Sequence, residues 1–354
     1  MISKYPDSNT CYSKYLHICT SAYLHIKMIL VTGATGFLGS EVVRQLVAQG
    51  NRVHCTRRNQ SIIPAILTPL QDQIEWVEAD LLDIFAMENA LDGVTQVYNC
   101  AAFVSLKQAD KEPMIYTNVT GTGNLVNLCF QNNIRLVHVS SVAAVGDAKP
   151  GELISEKHHL DQAAETDGYA ISKLESEMEV WRGIAEGLDA VIVNPSIIIG
   201  ANAGTEGSGA LFETVRKGLK FYTNGSMGFV DVEDVAKCMI ALMNSNITGE
   251  RFIISAENQD YKSLTAEIAQ GFGIKPPATL AKPWMMSLAW RGAALAALIT
   301  RGSPAIDKVS AKAASLTRNF DNKKIKKYIG LDFKPISLSI REICEKLRSE
   351  ALKA

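Results

Sequence analysis

The stretch Ile29-Leu30-Val31-Thr32-Gly33-Ala34-Thr35-Gly36-Phe37-Leu38-Gly39 decides the fold. Its first four residues are an apolar, largely β-branched run of strand length. Glycines at 33, 36 and 39 follow at once, removing side chains where a strand turns sharply into a helix. The start of such a helix offers unsatisfied backbone N–H groups and the positive end of the helix dipole. Gly33, Thr35, Gly36, Phe37, Leu38 and Gly39 therefore read as a cradle for a pyrophosphate. The spacing is G-x-x-G-x-x-G and departs from the G-x-G-x-x-G fingerprint. Turns collect glycine anyway, so the motif takes its meaning from its place between strand and helix.

Outward from this junction, short apolar runs alternate with helical patterns. Strands are expected at Ile29–Thr32, Val53–Thr56, Ile74–Glu78, Gln96–Cys100, Leu136–Val139 and Ala190–Asn194. Helices are expected at Phe37–Ala48, Ile84–Leu91, Met114–Gln131 and Tyr169–Gly183. Strands so uniformly apolar suit a parallel sheet covered on both faces. Right-handed crossovers then give an α/β, doubly wound parallel sheet. From Pro195 the pattern loosens, with Gly and Asn crowding 200–209 and a later strand at Arg251–Ser255. Ile336, Ile340, Ile343 and Leu347 form one apolar stripe on a tail helix. The expected division is 28–194 for ligand binding, with 251–255 returning to it, and 195–354 mainly for substrate.

Composition narrows the function classes. Of 354 residues, 36 are Lys or Arg and 37 are Asp or Glu, a formal net charge of −1. No global basic field for nucleic acid follows from that balance. Seven cysteines without a C-x-x-C pair argue against a zinc site or a disulfide framework and fit a reducing, cytoplasmic compartment. Residues 1–27 carry four of the ten tyrosines and no apolar period; Lys14, His17 and His25 interrupt any signal-like run. They are expected to lie outside the fold, with the biological start at Met28. Pro283–Thr300 is apolar but holds Arg291 near its middle, which suits a packed or cleft-lining helix better than a spanning one. Peripheral membrane contact through 283–300 is the lesser alternative.

The second strand ends in Thr56-Arg57-Arg58-Asn59. An NAD site would place an acid about 20 residues after the glycine loop. Two arginines stand here instead, matching a 2′-phosphate and favouring NADP(H) over NAD(H), which stays open. Asp80-Leu81 closes the third strand, where a carboxylate can accept from an adenine amino group. Tyr169 and Lys173 fall at i and i+4, on one helix face. A phenol titrates near 10, and a neighbouring ammonium would draw it toward neutral pH. Ser140-Ser141 ends the fifth strand on the carboxyl edge, where doubly wound sheets bind ligands. A hydroxyl there can hold a carbonyl oxygen while Tyr169 donates its proton. His158 and His159 supply too few ligands for a metal, so none is expected.

Taken together, these segments resemble the extended branch of the short-chain dehydrogenase/reductases, the NAD-dependent epimerase/dehydratase family, with its Rossmann fold. The resemblance runs from Met28 to Phe333. It rests on the loop at 32–39, Asn99-Cys100-Ala101-Ala102, Thr117–Thr122, Ser140–Gly146, Tyr169–Lys173 and Gly228–Ala236. Gly249–Ile254 and Tyr328–Leu331 are similar to dihydroflavonol 4-reductase-like members. The resemblance implies Ser141 as the catalytic hydroxyl, Tyr169 as acid/base and Lys173 as its tuner and ribose anchor. It also implies Ala101 and Ala102 against the cofactor, and Pro195, Ser196 and Ile197 near the nicotinamide. Asn194 departs from the arginine common in relatives, which touches the substrate pocket.

The reading favoured is NADPH-dependent reduction of a ketone or aldehyde on a bulky apolar small molecule. Trp284–Ile299 supplies apolar lining, whereas Arg216, Lys217 and Lys220 read as a solvated helix end. A nucleotide-sugar epimerase or dehydratase with retained NAD is the alternative, and a non-catalytic dinucleotide sensor the third. The family makes a homodimer plausible.

Overall fold

Strand β1 (Ile29–Thr32) is buried at all four positions, as a strand covered on both faces must be. Around it, the computed structural model describes residues 28–105, 107–161, 167–204, 207–282, 284–288, 290–292 and 314–351. The expectation for residues 1–27 lies outside them. Strands β2 (Val53–Arg57), β3 (Ile74–Glu78), β4 (Gln96–Asn99), β5 (Arg135–Val139) and β6 (Ala190–Pro195) follow. After β7 (Ile197–Ile199), β8 (Phe221–Tyr222) and β9 (Ser226–Asp231), the chain returns to the main sheet as β10 (Glu250–Ile254). The seven-stranded sheet runs β10-β6-β5-β4-β1-β2-β3. All its pairs are parallel, with Ile29 beside Val53, Thr32 beside Asn99 and Ile253 beside Asn194. Strand order reverses between β1 and β4, so the crevice for a ligand opens beyond their carboxyl ends.

One face of the sheet is covered by α1 (Phe37–Ala48), which sinks Val42, Val43 and Leu46 into the core. Each such side chain contributes about 1.5–3 kcal/mol of burial. The other face takes α2 (Ile84–Ala90), α3 (Lys111–Gln131) and α4 (Gly168–Glu186), through Met87, Leu125, Val126 and Val180. Helix α3 begins three residues before the expected Met114, because Pro113 is tolerated in a first turn whose N–H groups have no intrahelical partner. Asp167 caps α4 by accepting from the Tyr169 amide at 3.0 Å, and Gly187 ends it with φ +111°.

Beyond β6 lie α5 (Ser208–Arg216), α6 (Val232–Met243), β11 (Glu257–Asp260), α7 (Tyr261–Phe272), β12 (Thr279–Leu280), α8 (Lys323–Ile329) and α9 (Ile336–Ala351). Helix α6 packs against α1, and Gln45 Nε2 donates to the Glu233 carbonyl at 2.9 Å. The tail stripe is real: Ile336, Ile340 and Ile343 enter a third core with Phe212, Phe229 and Leu264. A three-stranded sheet, β11-β9-β7, floors this region. No helix among the described residues is long and apolar enough to cross a membrane.

Candidate active site

Gly33 adopts φ +64°, and a Cβ there would meet the Ala101 amide nitrogen at 2.6 Å. A Cβ on Gly39 would lie 2.2 Å from the Gly33 carbonyl oxygen. Both glycines thus let backbone pass backbone where β1, β4 and α1 meet. Gly36 is the N-cap of α1 and supplies no side-chain acceptor, so the first amides of the helix face the crevice uncapped. Leu38 is buried in the core and can offer only its backbone, whereas Thr35 and Phe37 are half-buried at the rim. The loop has the clearance and the donors that a pyrophosphate requires.

At the end of β2, Arg57 is half-buried and Arg58 exposed. Neither guanidinium forms an ion pair among the described residues. Glu78 is the register neighbour of Arg57 on β3, yet no salt bridge joins them. Asp80 spends one carboxylate oxygen on the Leu82 amide at 2.9 Å. The Leu81 carbonyl accepts from Asn124 Nδ2 at 3.1 Å, fixing this corner to α3. Pro195 and Ser196 are buried and Ile197 half-buried at the carboxyl end of β6, and the Ser196 hydroxyl has no partner among the described residues.

Ser141 at β5's carboxyl end lies close enough to the Tyr169 phenol, in the first turn of α4, to draw its pKa down. Ser141 Oγ also accepts from the Ala143 amide at 3.1 Å, and its carbonyl accepts from Asn194 Nδ2 at 3.0 Å. Lys173 is buried and donates to the Val139 carbonyl at 3.1 Å. Burial lowers the Lys173 ammonium to about 8, against the opposing pull of Cys100 and Glu177. Burial pushes the Tyr169 phenol up, against Ser141, which draws it down. Desolvation of the phenolate outweighs its neighbours, and Tyr169 is held as a neutral donor.

Three polar arrangements escaped the sequence reading. Thr32 Oγ1 donates to Asn99 Oδ1 at 2.6 Å, and Asn99 Nδ2 meets His138 Nδ1 at 3.0 Å, a buried chain across β1, β4 and β5. Burial, with Lys173 adding to it, lowers His138 to about 3, so the ring is neutral. Asn118 of α3 takes both the amide and the carbonyl of Phe103, at 2.7 and 2.9 Å, and reaches Ser172 Oγ at 3.2 Å. It ties the segment after β4 to the tyrosine helix. Glu177 of α4 joins Asn194 and Arg251, which lie on β6 and β10. Asn99, Asn118 and Asn194 stood inside quoted motifs, but their partners lie on other strands and helices.

Other polar side chains near the site have partners of their own. Glu156 Oε1 accepts from the Ile253 amide at 3.0 Å, satisfying the open edge of β10. His158 Nδ1 faces the Ser155 amide at 3.0 Å, and no metal-ligating cluster occurs among the described residues. Arg216 and Lys217 both pair with Glu213, at 2.8 and 3.3 Å. Of 283–300, only 284–288 and 290–292 are described; Trp284 and Leu288 are exposed there. The remainder of that proposed lining lies outside the described residues.

With this geometry in place, the comparisons with known proteins become readable. Residues 29–255 match the NAD dependent epimerase/dehydratase family, and the chain belongs to that family. A provisional dihydroflavonol 4-reductase of Synechocystis sp. is 30% identical over 309 residues, 85% of this chain and 89% of its own. Sterol demethylase protein B of Methylococcus capsulatus is 34% identical over 235 residues, 65% of this chain and 70% of its own. The crystal structure of gox2253 superposes with a TM-score of 0.79 at 28% identity, covering 92% of this chain and 98% of that one. The chain is thus an NAD(P)-linked member of a family of oxidoreductases and epimerases on a Rossmann scaffold.

Proposed function

We propose that this protein is an NADPH-dependent reductase of a ketone or aldehyde carried on a bulky apolar molecule. The observation that carries the reading is the placement of Ser141 beside a half-buried Tyr169 whose phenol desolvation keeps protonated. Reduction needs a proton delivered to the carbonyl oxygen, and a neutral phenol beside a serine hydroxyl is suited to deliver it. Tyr169 gives the proton, Ser141 holds the same oxygen and polarises the carbonyl, and the Lys173 ammonium stabilises the phenolate left behind. The bound nicotinamide would supply the hydride. For its binding, the reading assigns the backbone from Gly33 to Gly39 to the pyrophosphate and Arg57 and Arg58 to the 2′-phosphate. Asp80 and Leu81 take the adenine, Lys173 the ribose, Ala101 and Ala102 the middle, and Pro195, Ser196 and Ile197 the nicotinamide end.

Two relatives bear names of flavonoid and sterol chemistry, in keeping with an apolar substrate. A sugar nucleotide brings a second pyrophosphate and calls for free cations. Between Pro195 and Asp231 the cations are Arg216, Lys217 and Lys220, and Glu213 engages the first two. The reading includes a cytoplasmic setting, from the cysteine usage, and a homodimer, as the family resemblance implies. Its test is Tyr169→Phe, which keeps the ring and removes the donor. Turnover should fall about 10²-fold or more with cofactor affinity retained. Substantial carbonyl reduction by this variant would refute the assignment.

A further inference from the structure

Tyr169, Lys173, Glu177 and Trp181 stand four residues apart along α4, one stripe on one helix face. The first two belong to the proposed reaction; the third has no part in it. Glu177 is 1% exposed, and three donors engage its carboxylate. Oε1 accepts from Trp181 Nε1 and from Arg251 Nη1, both at 3.1 Å. Oε2 accepts from Asn194 Nδ2 at 2.7 Å, and the same amide nitrogen reaches the Ser141 carbonyl at 3.0 Å. Arg251, 7% exposed, also donates to the carbonyls of Glu156, at 3.0 and 2.6 Å, and of His158, at 2.6 Å. A desolvated ion pair this deep is a weak source of stability, since removing two charges from water offsets most of their attraction. Its placement needs another account.

We propose that Glu177 is a positioning residue of the site: it supplies the counter-charge for the Lys173 ammonium and, through Asn194, fixes the backbone of Ser141. Arg251 holds that carboxylate in place and fastens the segment at 156–158 against β10. The inference rests on the reductase reading only for what Lys173 and Ser141 then do. The charge relation itself is a property of the folded chain. Lys173 is faced by Cys100 after β4, by His138 from β5 and by Glu177 from its own helix. Of these three, Glu177 is the one that carries an acidic side chain. Arg251 is a cation paired with that carboxylate at 3.1 Å, so any field it exerts at Lys173 opposes that of Glu177.

Opposite signs make the proposal separable from a merely structural role. An NMR titration detected at Lys173 Nζ in the full-length protein, assigned against Lys173→Arg, reads the charge with no substrate present. The wild-type midpoint is expected near about 8. Glu177→Gln should lower it by about one pH unit, and Arg251→Gln should raise it. If Glu177→Gln does not fold, Glu177→Asp, which keeps the charge and withdraws it, should lower the midpoint by less. A midpoint unmoved by these substitutions, or moved in the same direction by loss of either partner, would overturn the proposal. The alkaline limb of NADPH-linked turnover should track the midpoint. Should the midpoint shift while that limb stays still, the reductase reading fails and the role of Glu177 stands.

Discussion

Gly33 and Ala101 meet across the point where strand order reverses, with a Cβ on the glycine falling 2.6 Å from the alanine amide nitrogen. The contact closes the floor of the crevice between β1 and β4. Gly33→Ala places a side chain both in a left-handed conformation and against backbone that cannot yield. We expect a stability loss of about 1–3 kcal/mol and loss of dinucleotide binding. Denaturant melts and cofactor titration check this, and wild-type affinity in the variant would show that the approach is not needed.

On the proposed reading, Arg57 and Arg58 set the choice of cofactor. A charge-assisted contact to a 2′-phosphate contributes about 1.5–3 kcal/mol, roughly a tenfold to hundredfold preference. NADPH should bind more tightly than NADH by that factor, and Arg57→Ala or Arg58→Ala should narrow the gap without weakening NADH. Titration of both cofactors measures it; equal affinity in the wild type counts against this assignment.

Lys173 should cost the fold stability. Its folded value of about 8 lies below the ordinary 10.5, so between those values the unfolded chain binds more protons. The penalty accumulates as pH falls from 10.5 to 8 and is complete at neutral pH. Lys173→Met should therefore raise stability at pH 7 by on the order of 1–3 kcal/mol while abolishing turnover. Urea unfolding of both proteins tests the sign.

His138 gives an acid limb of the same origin. Burial lowers it to about 3 from an ordinary 6.5, so the unfolded chain takes up a proton first as pH falls. Stability should decline through that window with a slope of about 1.4 kcal/mol per pH unit from this group. His138→Gln should flatten the limb. Parallel limbs in the two proteins would show the ring does not stay neutral on folding.

Those features that the sequence made legible are local ones. The glycine loop, the apolar strands and the four-residue step from Tyr169 to Lys173 each sit within one turn or one element, where side-chain period reports geometry directly. Arg251 and Glu177 are 74 residues apart, and Ser339 reaches Asp231 across 108. Such pairs depend on strand register and helix packing, which a one-dimensional pattern does not contain. Strand β11, Glu257-Asn258-Gln259-Asp260, is wholly polar and reads as loop. It is a strand because β9 offers it an antiparallel edge, and its side chains serve neighbours instead of a core. The direction in which the Tyr169 phenol is shifted is illegible in the sequence for a related reason. Spacing reveals proximity, whereas burial, which sets the direction here, belongs to the assembled fold.

The central claim is tested most directly by following NADPH oxidation with a panel of bulky apolar ketones and aldehydes, with mass analysis of the products. We predict one NADPH consumed for each carbonyl converted to its alcohol, and no such conversion by Tyr169→Phe. Conversion of a sugar nucleotide with no net consumption of cofactor would contradict the account.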